Sequence, residues 1–124
     1  MDKNTSDALL LALAKNKQTT LEEASALCAS DRTDEGNLKK AAANIYDIYQ
    51  QMWTRKLART AAIGEASATA EFEALLESIP KNWIVSLEAA KAHGDFVKVA
   101  VEEAKLSALF DIRTLYSKSK EGTL

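Results

Sequence analysis

One cysteine, one proline, one histidine and four glycines are all that these 124 residues contain of those types. A lone thiol, Cys28, excludes a disulfide within the chain and suits a reducing compartment, so a cytoplasmic setting is expected. So few glycines and prolines exclude a collagen-like or loop-dominated protein. The glycines are isolated at 36, 64, 94 and 122, which leaves no glycine-rich loop to cradle a phosphate. A single histidine, His93, with no glutamate three residues before it, removes the paired Glu-x-x-His ligation of a metal-binding helical bundle. A basic excess is also missing. Sixteen basic residues face eighteen acidic ones, for a net charge of −2, which disfavours a dedicated nucleic-acid binder. No long hydrophobic run occurs. The run Ala8–Ala14 is seven residues long, has no positive segment before it, and reads as helix rather than signal core. Nothing approaches a membrane span.

What the sequence has is alanine and leucine, 22 and 15 residues, against ten of valine and isoleucine together. Strong helix formers in that proportion predict an all-α chain. The expected fold is a compact antiparallel bundle of five or six helices in a single domain over 1–124, with long helices near 35–62 and 95–118. A first helix is expected from Thr5 to Asn16. The capping box Thr20-Leu21-Glu22-Glu23 predicts the start of a second, ending near Ser30. Ser30 to Gly36 reads as a loop, and Gly64 ends the long third helix. A fourth is expected over 67–78, and Pro80 is placed to open a fifth, since proline is tolerated in a first turn. Gly94 stops that helix, Asp95 caps the sixth, and the tail 119–124 is expected to fray.

Trp83 and the turn Gly94-Asp95-Phe96 resemble the helix pair of a tetratricopeptide unit. Ser86, Leu87 and Ala90 stand where that pattern wants leucine, glycine and tyrosine, and no second copy occurs. The segment therefore reads as two packed helices joined by a tight turn.

The helix faces carry the functional reading. Leu38, Ile45, Tyr46, Ile48, Tyr49, Met52 and Trp53 form one apolar face of the third helix. Lys56 and Arg59 then interrupt it, with Arg55 beside them; unpaired buried charge is costly, so the last two turns are expected to leave the core. These three make a basic lip that either meets an anion or an acidic partner, or pairs internally. Cations near a helix C-terminus are favourable, and the next helix carries Glu65, Glu71, Glu73 and Glu77, so internal pairing is the favoured reading. The sixth helix is apolar twice. Val97, Val101, Ala104, Ala108, Ile112 and Leu115 form one stripe; Val99, Leu106 and Phe110 form a second on the opposite side. Such a helix is either central in its own bundle or shared with another chain.

Cys28 and His93 are a nominal nucleophile and base. Cys28 falls on an apolar face, where cysteine acts as a small core residue, and His93 sits where it can meet free carbonyls at a helix end. Glu71, Glu102 and Glu103 read as charge on solvated faces. No catalytic residue, metal or cofactor is therefore expected. The sequence points to a non-enzymatic protein–protein interaction module of the adaptor, chaperone-like or inhibitor/immunity type. Its partner would be another protein or a second copy of itself. Val99, Leu106 and Phe110 are the first candidate surface and Arg55, Lys56 and Arg59 the second. The alternative is a DNA-binding regulator using a helix-turn-helix-like segment in residues 7–50. Its reading helix would start with Asp34 and Glu35, which phosphates repel.

Overall fold

The computed structural model describes residues 2–124. Four α-helices follow one another: α1 (Lys3–Ala29), α2 (Thr33–Ile63), α3 (Glu65–Ala92) and α4 (Phe96–Glu121). The helical bundle is as expected, but with four helices in place of five or six. Both differences are fusions. Thr20, expected to cap a second helix, lies inside α1 and donates its hydroxyl to the Asn16 carbonyl at 2.7 Å. A threonine bonded to the carbonyl four residues back competes with capping, and no glycine or proline stands between Asn16 and Thr20 to break the helix.

The second fusion passes through Pro80, which is buried inside α3 rather than opening a new helix. Proline in a helix interior removes the donor to the carbonyl four residues back. That carbonyl belongs to Leu76, and Arg113 of α4 donates to it at 2.8 Å. A side chain from a neighbouring helix thus replaces the missing backbone bond.

Two boundaries also move. The stretch read as loop through Gly36 is helical from Thr33 onward, with Gly36 buried. Here α1 approaches so closely that a Cβ on Gly36 would lie 2.4 Å from Cys28 Sγ and 3.0 Å from the Ala24 carbonyl oxygen. At the other end, α4 continues past Lys118 to Glu121. Ser119, expected in a fraying tail, is buried and donates to the Thr5 carbonyl at 3.4 Å. Asp95 does cap α4, accepting from the Lys98 N–H at 3.1 Å. Gly64 alone joins α2 to α3, with a φ of 90° that disfavours any residue carrying a Cβ.

Side-chain pairs fix the topology. Lys17 with Asp47 and Glu23 with Lys39 set α1 antiparallel to α2. Glu73 with Lys120 and Leu76 with Arg113 set α3 antiparallel to α4. Thr5 with Ser119 and Asn16 with Asp111 set α4 antiparallel to α1. The bundle is skewed. The diagonal pair α2 and α4 is in contact, whereas among the described residues α1 and α3 are not. α2 and α4 therefore share the middle of the core, which explains why α4 is apolar on more than one side.

The core centres on Trp53. Its ring meets Phe72 edge-on at 5.0 Å and Tyr116 at 6.0 Å, and its indole N–H donates to the Ser6 carbonyl at 3.2 Å. One side chain thus joins all four helices. Burying such a residue stabilises the fold by about 1.5–3 kcal/mol through area alone. Leu9, Leu13, Ile45, Tyr49 and Ile112 extend the core along the bundle. Among the described residues, no helix is long and apolar enough to cross a membrane.

Candidate functional site

The helices close tightly at the end held by Trp53 and part toward the other. Along the α4 stripe, exposure falls from 79% at Val97, through half-buried Val101 and Ala104, to 5% at Ala108 and 1% at Ile112. The face is continuous, but its cover is not: the α1/α2 hairpin leaves α4 as the chain is followed toward Val97. The space between them is a cleft of about 610 Å³.

Three helices supply its walls. Thr20 and Leu27 come from α1; Leu38, Lys39, Ala42 and Tyr46 from α2; Ala104, Ser107, Ala108, Phe110 and Asp111 from α4. The α4 residues at 104, 107, 108 and 111 recur at the spacing of one helical face. Three of them are alanine or serine, so the wall is low there. Phe110 rises at the rim with 74% of its surface exposed.

The polar part of the cleft is a small network. Tyr46 donates its hydroxyl to Asp111 Oδ2 at 2.6 Å, and the Asn16 amide donates to the same oxygen at 3.2 Å. Burial, the bond to Asp111 and the nearby charges of Asp111 and Glu23 push the Tyr46 phenol well above its ordinary value, so it remains a neutral donor. The flanking charges are paired: Lys39 with Glu23 at 2.8 Å, and Arg32 with Glu35.

The two candidate surfaces read from the sequence are separated by the structure. Of the first, only Phe110 stands open, at the cleft. Val99 and Leu106 are half-buried, and Leu106 packs against the core. Their stripe is shared between the inside of the bundle and its surface. Of the basic lip, Arg55 is exposed. Contrary to the expectation that the charged last turns leave the core, Lys56 stays in it. It is buried, bonded to Glu65 at 2.9 Å and 4.8 Å from the Trp53 ring. Arg59 grips Glu71 with two bonds of 3.1 and 2.8 Å. Two of the three cations therefore pair with the acidic start of α3. Each bond holds its carboxyl below the ordinary glutamate value, through Lys56 for Glu65 and through Arg59 for Glu71.

Other sequence assignments resolve simply. His93 meets the Ala89 carbonyl at 2.7 Å at the end of α3. Cys28 is half-buried and backs onto Gly36, on the other hairpin from His93. Glu71 and Glu103 are exposed as expected, but Glu102 is buried and held by Lys105 at 3.2 Å. Among the described residues, no group of three or more histidine, cysteine or carboxylate side chains is placed to hold a metal. Sequence reasoning missed Tyr46 and Asp111 as partners. The available signal was a carboxylate inside the apolar run Ala108-Leu109-Phe110-Asp111-Ile112.

No family model, curated protein or solved structure matches the chain.

Proposed function

We propose that this protein is a non-enzymatic interaction module whose α1/α2–α4 cleft accepts the apolar face of a helix from another protein. The observation that supports it is the uncovered continuation of a core stripe: α4 keeps its apolar face toward Val97 after the opposing hairpin has departed. An amphipathic helix laid into a groove presents anchors at i, i+3, i+4 and i+7. The cleft walls repeat at that spacing on both α2 and α4. Low alanine and serine positions let a partner backbone approach, and Phe110 offers an aromatic contact of the kind enriched at binding hot spots. The basic lip is assigned a smaller part, carried by Arg55. A cytoplasmic setting belongs to the same reading.

The test is fluorescence anisotropy with labelled amphipathic helical peptides of varied composition. Saturable binding is expected, weakened at least about tenfold by Phe110→Asp with no change in the circular dichroism melt, because Phe110 is exposed. Absence of binding by every peptide, or indifference to Phe110→Asp, overturns the reading. Light scattering that shows a dimer dissolved by Phe110→Asp would instead make a second copy the occupant. Salt-dependent duplex binding lost with Lys39 and Lys40 would support the DNA-binding alternative in residues 7–50.

A further inference from the structure

Charge accounting within the cleft singles out one residue. Glu35 is matched by Arg32, and Glu23 by Lys39 at 2.8 Å. Among the described residues, Asp111 has no cation within salt-bridge distance. Its two partners, Tyr46 and Asn16, are neutral donors, and both bond the same oxygen, Oδ2. Among the described residues, no donor reaches Oδ1. The carboxylate is half-buried, lines the cleft, and stands in a wall otherwise made of Ala104, Ser107, Ala108 and Phe110.

This arrangement is built rather than incidental. Asp111 is oriented from α1 and α2 at once, through Asn16 and Tyr46, so its free oxygen is fixed relative to all three walls. Tyr46 is buried, and its phenol resists ionisation, so the donor that orients Asp111 is stable across ordinary pH. A carboxylate half out of water gains more from a cation than an exposed one does, because the local dielectric is lower. A charge-assisted bond is also about twice as strong as a neutral one.

We infer that Asp111 is the specificity-determining residue of the cleft, and that it selects a partner helix carrying a lysine or arginine within its apolar face. This rests on the proposed use of the cleft. A basic helix is the occupant the charges fit: with the two ion pairs cancelled, the lining carries one net negative charge. An acidic helix would place like charge against Asp111, and a wholly apolar one would bury Oδ1 without a donor, which is costly. The span also suits two turns of helix, since Thr20 to Leu27 and Ala104 to Asp111 each cover about 10 Å.

The experiment uses the intact protein and two labelled helical peptides that differ at one central residue of the apolar face, lysine or norleucine. The lysine peptide is expected to bind about tenfold or more tightly at low salt, the size of one charge-assisted bond. The preference should shrink as salt is raised. Asp111→Asn keeps an oxygen for Tyr46 and Asn16 but lacks the charge. It is expected to abolish the preference, by weakening the lysine peptide and relieving the cost paid by the norleucine peptide, while leaving the thermal melt in place. Equal binding of the two peptides to the unaltered protein overturns the inference, as does an undiminished preference in Asp111→Asn. The comparison of peptides on the unaltered protein does not depend on how the variant folds. If neither peptide binds, the cleft reading itself fails; if both bind alike, only the role of Asp111 does.

Discussion

Arg113 donates to the carbonyl of Leu76 at 2.8 Å, the bond that Pro80 cannot supply. A proline about four turns into a helix thereby becomes a docking point for the neighbouring helix. Arg113→Met should leave that carbonyl short of a donor and cost about 1–3 kcal/mol. In a Pro80→Ala background, where residue 80 regains its N–H, the same change should cost less. A double-mutant cycle by urea denaturation measures the difference. Additive effects would show that the two residues are not coupled.

All three tyrosines, Tyr46, Tyr49 and Tyr116, have phenols raised above the ordinary value of 10.0. Burial is the largest cause for each, and it takes Tyr49 to about 12. Raised folded values mean that the unfolded chain ionises first. Their contribution to stability is complete below pH 10.0 and is lost as pH rises through the folded values. An ultraviolet titration should therefore show no phenolate signal in the native protein at pH 10.0, then a steep rise that coincides with loss of helical circular dichroism. A normal tyrosine titrating alone would contradict this.

The acid limb has the opposite sign. Glu65, Glu71 and Glu73 are held below the ordinary 4.5 by Lys56, by Arg59, and by Lys120 with Tyr116 respectively. Their contribution is present above 4.5 and disappears as pH falls through the lowered values. Melting temperature should change little from neutral pH down to about 5 and decline below it. Glu73→Gln should flatten the decline. The effect should be modest and weaker in salt, because these carboxylates are largely exposed.

Gly36→Ala tests the contact between α1 and α2. The new methyl would meet Cys28 Sγ at 2.4 Å and the Ala24 carbonyl oxygen at 3.0 Å. Overpacking of this kind costs about 1–3 kcal/mol. Cys28→Ala should recover part of the loss, and the Ala24 backbone should prevent full recovery. Thermal melts of the single and double variants report both.

Tyr49→Phe is expected to be neutral or to stabilise by up to about 1 kcal/mol. The Tyr49 hydroxyl is fully buried with no hydrogen-bond partner among the described residues, so its removal ends a desolvation cost. A urea midpoint that falls markedly would show that the hydroxyl has a role.

The helical class, the long helices at 33–63 and 96–121, and the core face through Tyr49 and Trp53 were legible because alanine-leucine content and a 3.6-residue period are local properties. The pairing of Lys56 and Arg59 followed from the acidic start of the next helix. The helix count was not legible, because Thr20 and Pro80 are ambiguous signals. Thr20 caps or bonds backward according to its neighbours. Pro80 stops a helix unless a distant donor replaces its N–H, and Arg113 stands 33 positions away. The doubled apolar pattern left Phe110 either inside the bundle or on an interface, and the structure places it on the surface. The cleft was not legible, since Tyr46 and Asp111 are 65 positions apart and meet only through the skewed diagonal of α2 and α4.

Trp53 touches every helix at the closed end, while the walls of the cleft extend along the bundle away from it. The indole therefore ties all four helices at a single point, and Leu38 and Ala104 line the cleft well beyond that tie. A swap of that ring for a smaller one would loosen all four rods at once, because each of them loses its hold on the same side chain.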